Sequence, residues 1–377
     1  MLINKLFKKE TIAESAGIVL IITIIQRVLQ TGRGVVFARI LGPTNFGIYS
    51  IALFFLPIVA AFARLGIPSC FPRYVPQYEK QGMMKHFIIR TYLIACGLSV
   101  ILTAVMLLFI EQVSSLVYNS SEYGTIIVIC AISLLPLTLY ETIKFTFNGL
   151  RVFKLSYLMV FGQFLVFTIL GIILVVIYKS AESVVFAILV SNVVIVILFG
   201  VIIWKYVANI ETQAVKIQEK YFYKKIFKYS IWFIISPVVF SLFKFTDKWM
   251  LNQYLGMEPV GIYSVASNVT SLVYMFGVIA GKVLMPNLSN LWEQQEKKRA
   301  VTLIDLVLRG NTLILLGMSL VILLLKDPII GLLYGGDYMR ATPVIGLLLI
   351  FWLLNSIYLT VAGYAGLIEK TYIPLVG

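Results

Sequence analysis

The chain has almost none of the side chains that do covalent chemistry. It contains one histidine, His86, and three cysteines, Cys70, Cys96 and Cys130, whose spacing matches no metal-ligand pattern. A zinc site, a disulfide framework and a nucleophile paired with histidine all lack their raw material. Charge is scarce too. Asp, Glu, Lys and Arg make up 13% of the residues, against roughly 25% in an ordinary soluble domain. Acidic residues are the scarcer sign, 17 against 31 basic ones. No Gly-x-x-x-x-Gly-Lys loop is present to cradle ATP phosphates. No enzyme activity is expected.

What remains is apolar: hydrophobic residues form 60% of the chain. Apolar segments of about 20 residues, the length that crosses a hydrocarbon core, occur at 14–38, 45–66, 87–110, 124–145, 155–178, 183–204, 228–249, 259–281, 302–325 and 342–363. An eleventh starts near Thr371. The first is read as a retained span, because no small-residue cleavage site follows it. The expected fold is all-α, a polytopic transmembrane helical bundle, since strands of a membrane barrel would alternate over short segments.

Basic residues fall on alternate connections. Lys5, Lys8 and Lys9, then Arg73, Lys80 and Lys85, then Arg151 and Lys154, then the lysines of 205–228, then Lys282, Lys297, Lys298 and Arg299 occupy one side. The other side has Lys179, Lys326 and Arg340. The positive-inside rule therefore predicts a cytoplasmic amino terminus in the plasma or inner membrane. The formal charge of +14 then meets anionic headgroups, and a nucleic-acid partner is not expected. The segments 67–86 and 281–300 are each expected to form a short helix along the inner surface. The external connections 39–45, 111–123 and 179–182 are too short for a domain.

The stretch LGPTNFGIYSIA at 41–52 returns as LGMEPVGIYSVA at 255–266, identical at seven of twelve positions. Pro72, Glu79 and Gln81 fall on Pro286, Glu293 and Gln295 in the same register. Tandem duplication of a multi-helix unit is a common transporter plan, with the substrate site between the halves. The predicted division is an amino-terminal lobe at 1–206, a cytoplasmic linker at 207–223 and a carboxy-terminal lobe at 224–377. Six spans per repeat keep both halves in the same direction, pseudo-symmetric about the membrane normal. A complete second repeat would end at about residue 420, so the sequence is read as a truncated or fragmentary form of a protein with at least twelve spans, or as one whose last helices were lost.

Ionisable residues inside spans usually face a protein interior or a watery cavity. Gln26, Gln30 and Arg33 share a narrow arc of span one, with Arg27 at its edge. That stripe either lines an anion-attracting cavity or leaves Arg33 near a helix end, fixed by a neighbouring helix. Span seven carries Lys244, Asp247 and Lys248 at contact spacing. The repeat register places Arg33 opposite Asp247, so the two either pair across the lobes or are each neutralised at home. In span four, Glu141 and Lys144 are spaced for a structural ion pair; the alternative is that Glu141 titrates and couples transport to H+ or Na+.

The motifs Arg39-Ile40-Leu41-Gly42-Pro43, Phe46-Gly47-Ile48-Tyr49, Leu65-Gly66-Ile67-Pro68 and Arg73-Tyr74 resemble the polysaccharide-transporter branch of the superfamily that also holds the MATE multidrug exporters. Asp247, Gly261-Ile262-Tyr263 and Leu333-Tyr334-Gly335-Gly336-Asp337-Tyr338 extend the resemblance into the second half. It implies two MATE-like six-helix lobes around a central cavity, the second incomplete here. It also implies flipping of lipid-linked oligosaccharide to the outer leaflet without a cofactor. Arg27, Arg33, Lys144 and Lys244 would attract the anionic headgroup, with Gln26 and Gln30 beside them and Asp247 and Glu141 balancing charge. Lipid-linked oligosaccharide and membrane lipids are the implied partners, with glycan-assembly proteins as candidates. The competing expectation is a cation-coupled drug or metabolite exporter on the same fold.

Overall fold

The computed structural model describes residues 12–210, 226–230 and 232–367. Most of the expected 207–223 linker and the start of an eleventh span lie outside the described residues. Among the described residues the structure is helical, with no β-strand. The helices are α1 (Ile12–Arg64), α2 (Phe71–Lys80), α3 (Met84–Leu108), α4 (Ile110–Tyr118), α5 (Gly124–Gly149), α6 (Phe153–Tyr178), α7 (Ala181–Ala208), α8 (Trp232–Leu255), α9 (Met257–Glu293), α10 (Lys297–Leu324), α11 (Lys326–Leu333) and α12 (Thr342–Leu367).

All ten expected spans fall on these helices. Among the described residues eight helical segments are long and apolar enough to cross a membrane, and the first of them, Ile22–Arg64, holds most of span one and all of span two up to Arg64. These spans are separated by a single residue, Gly42, at φ 70° and ψ 172°. Glycine accepts that conformation without steric cost, and Pro43 disfavours helical geometry in the residue before it. The expected seventh span, α8, is helical, but Lys244, Asp247 and Lys248 dilute its apolar character. Large apolar side chains such as Leu93, Ile101, Leu108, Ile177 and Leu198 stand exposed, as lipid-facing residues do.

The chain divides into two compact units, Met1–Val260 and Gly261–Gly377. In the first, α5 packs against α3, α7, α2 and α1, while α1 also packs against α6 and α8. Buried hydroxyls satisfy themselves on their own helix, as lipid requires: Thr91 donates to the Phe87 carbonyl and Thr142 to that of Thr138, each at 2.7 Å. The α2 helix is a separate amphipathic element, matching the expectation for 67–86. Leu65 at φ 43° and Gly66 at φ 65° turn the chain out of span two. Phe71, Tyr74, Val75 and Tyr78 are then buried, and Tyr78 stacks on Phe87 at 4.8 Å.

The second repeat differs here. No separate short helix forms at 281–293, because α9 runs unbroken from Met257 to Glu293. The repeat register replaces Gly66 by Ala280 and Pro68 by Lys282. Neither the left-handed glycine nor the following proline is present to break the helix. The expected loop at 111–123 is also mostly helical, comprising α4 and a 3-10 turn at Ser121–Tyr123.

Within the second unit, Gly277 of α9 lies so close to Ser356 of α12 that a Cβ would fall 2.3 Å from the serine Oγ. Asn311 of α10 donates to Thr360 at 2.9 Å. Small residues and interhelical hydrogen bonds are how helices associate where lipid removes the hydrophobic drive.

Candidate functional site

The polar residues of span one separate into different environments. Gln30 is exposed, Gln26 and Arg27 are half-buried, and Arg33 is buried at 8% exposure. Arg33 turns toward α6: its guanidinium donates to the Thr168 hydroxyl at 3.0 Å. It also lies over the rings of Phe167, Phe164 and Phe37, at 4.2, 5.1 and 5.9 Å. Among the described residues no carboxylate pairs with Arg33, so the partner in this structure is a neighbouring helix and not Asp247. A guanidinium is weakly hydrated and stacks on aromatic faces, which suits it to such a pocket.

Arg27 and α8 form a second group. Arg27 contacts Gln30 at 3.5 Å and lies near enough to Lys244 for their charges to interact. Lys244 sits over Phe240 at 4.3 Å. One turn later Lys248 is buried at 4% exposure, with its ammonium 4.0 Å from the Phe54 ring of span two. Among the described residues no oxygen acceptor reaches that ammonium. Asp247 is exposed and acts on Lys248 electrostatically. Three basic side chains and one carboxylate thus gather between spans one, two and seven. Clustered like charge is costly in a medium of low dielectric, and aromatic faces offset part of that cost.

Lys248, which the sequence pattern places at contact spacing from Lys244 without assigning it to the cavity, joins this group. Its spacing from Lys244 was visible in the sequence, but the facing Phe54 lies on another helix.

The third group is the span-four pair. Lys144 contacts Glu141 at 2.6 Å, and Arg64 at the end of span two acts on the same carboxylate. Lys144 also lies over Phe145 at 5.2 Å. Glu141 is therefore held between two cations. No group of three or more His, Cys, Asp or Glu able to hold a metal ion occurs among the described residues.

The fold defines a class, that of multi-pass membrane proteins with the helical fold found in flippases and multidrug exporters. The structure is similar to the lipid II flippase MurJ in an inward closed conformation, with a TM-score of 0.76 and 19% identity. That match covers 95% of this chain and 78% of the other. It is also similar to an inward-facing multidrug resistance MATE family transporter of the MOP superfamily, with a TM-score of 0.64 and 17% identity over 93% of this chain and 84% of that one. At such identities the likeness concerns the fold alone.

The chain belongs to the polysaccharide biosynthesis protein family, whose model matches residues 12–292; the MatE model matches residues 233–376. A curated relative, the "Probable low-salt glycan biosynthesis flippase Agl15" of Haloferax volcanii, is 22% identical over 138 residues. That match spans 37% of this chain and 29% of the relative's length.

Proposed function

We propose that the protein is a transporter that flips a lipid-linked oligosaccharide from the cytoplasmic to the outer leaflet by alternating access. The observation that carries this reading is the group of Arg27, Lys244 and Lys248 between spans one, two and seven, set against aromatic rings. A lipid-linked sugar has an anionic linkage and a polar head that must cross the membrane while its tail stays in lipid. Embedded cations with aromatic neighbours suit that headgroup, whereas a cationic drug would be repelled. Family membership in polysaccharide biosynthesis supports the same substrate class.

In this proposal Arg27 and Lys244 meet the headgroup, Gln26 and Gln30 contribute hydrogen bonds, and Lys248 raises the local potential. Arg33 braces span one against α6. Lys144 belongs to the Glu141 pair, which is the candidate for coupling to H+ or Na+. The protein works in the plasma or inner membrane with its amino terminus in the cytoplasm, and glycan-assembly proteins supply and remove its substrate.

The test is transbilayer movement of a pyrophosphate-linked oligosaccharide by the full-length protein in proteoliposomes. Arg27→Gln and Lys244→Gln should each slow flipping about tenfold, equivalent to about 1.4 kcal/mol, without lowering expression. Wild-type rates in both variants would reject the cationic role. Efflux of a cationic dye by vesicles that flip no lipid-linked sugar would favour the multidrug-exporter reading.

A further inference from the structure

A shallow cleft of mixed polar and apolar lining lies where α4 packs against the end of α8, and includes Trp249, the residue after Lys248. It is an open surface hollow of about 630 Å³. The cleft is lined by Glu111, Gln112 and Ser115 of α4, Ser121 of the following turn, and Trp249 and Gln253 of α8. On α4, Ser115 shares a face with both Glu111 and Gln112, which lie four and three residues before it. The residues buried on that helix are Ser114, Val117 and Tyr118. Trp249 and Gln253 are likewise one turn apart on α8.

Trp249 is fixed in place. Its indole N–H donates to the Leu116 carbonyl at 2.8 Å, so its one donor is spent internally and the ring surface is what it offers a ligand. The turn is also held: Ser114 donates to the Ser120 carbonyl at 2.7 Å, and Ser120 accepts from the Glu122 amide at 3.2 Å. Around the indole stand one carboxylate, two amides and two hydroxyls. Together they supply both donors and acceptors for neighbouring hydroxyl groups. Among the described residues no cation lines the cleft, and the one charged group lining it is the Glu111 carboxylate. A phosphate, an acidic lipid headgroup or a uronic acid would be repelled.

We infer that this cleft is a saccharide subsite for uncharged pyranose units, built from residues other than those of the basic group. An aromatic ring packs against the apolar C–H face of a pyranose while amides and carboxylate take its hydroxyls. The inference rests on the flippase reading, under which the 111–123 connection is external and the cleft holds the glycan on the exit side. The basic group then takes the anionic linkage and this cleft takes sugar.

Binding can be read without transport. Full-length protein in nanodiscs is applied to an array of free neutral and acidic oligosaccharides built from hexoses, N-acetylhexosamines and uronic acids. The expected result is retention of neutral oligomers, weakened at least tenfold by Trp249→Ala and also by the double variant Gln112→Ala, Gln253→Ala. That double variant leaves the Trp249 tether intact and guards against misfolding, and Trp204→Ala, at an exposed ring on α7, should bind as wild type. Retention of no neutral glycan, preference for acidic ones, or unchanged binding in the double variant would overturn the inference. A protein that binds neutral glycans but flips no lipid-linked sugar would sink the flippase reading and leave the subsite standing.

Discussion

Arg33 of span one donates to Thr168 of α6 at 3.0 Å, and this bond, with Phe167 4.2 Å from the same guanidinium, ties the two helices together. Thr168→Val should destabilise the protein by about 1.5–3 kcal/mol, the worth of a hydrogen bond to a charged group. Arg33→Ala should cost more, because it also removes the stacking on three rings. Thermal unfolding in detergent checks both. If Arg33→Ala leaves the melting temperature unchanged while abolishing flipping, Arg33 acts on the substrate and not on the helix pair.

Gly66 closes span two at φ 65°, and a Cβ there would lie 2.3 Å from the Ser230 carbonyl oxygen and 2.9 Å from Ile234 Cγ1. Gly256 also has a positive φ, 86°, but open space around it. Gly256→Ala should therefore cost only the backbone term of about 1–2 kcal/mol. Gly66→Ala should cost clearly more, since the start of span seven must move. Equal melting temperatures for the two variants would refute the close approach.

Glu141 lies beside Lys144 and under the influence of Arg64. Removing the carboxylate leaves two cations facing each other, whereas removing Lys144 leaves Glu141 still served by Arg64. Glu141→Gln should thus destabilise by about 1–3 kcal/mol, less than for a fully buried pair, and more than Lys144→Gln. A double-mutant cycle gives the coupling directly. If Glu141→Gln keeps its stability but flattens the dependence of flipping on pH or sodium, the carboxylate is the coupling group.

Burial pushes the Cys70 thiol up from its ordinary range, so the reactive thiolate is suppressed at neutral pH. Cys70 is fully buried in the turn before α2 and should resist alkylation by a charged maleimide. Against that silent position, cysteines at exposed Glu122 and exposed Lys80 report topology. Only Glu122→Cys should be labelled from outside intact cells, and labelling of Lys80→Cys from the same side would reverse the proposed orientation.

The place of the membrane helices among the described residues was legible in the sequence because lipid imposes a long-range, one-dimensional rule: about 20 apolar residues per crossing. The family was legible for a related reason, since turn motifs such as Leu41-Gly42-Pro43 encode local backbone geometry that neighbouring residues alone impose. Periodicity also placed Glu141 beside Lys144, one turn apart on a single helix. The fate of Arg33 was not legible. Span one specifies that Arg33 shares an arc with Gln26 and Gln30, but Thr168 and Phe167, more than a hundred positions away, decide that it turns into α6. Lys248 is the same case, because its pocket is made by Phe54 of another helix. The Trp249 cleft needed the packing of α4 on α8, two segments with no sequence relation. One-dimensional patterns report what solvent and local backbone demand of each helix, whereas the partner of a buried charge depends on which helices meet, and only the tertiary structure decides that.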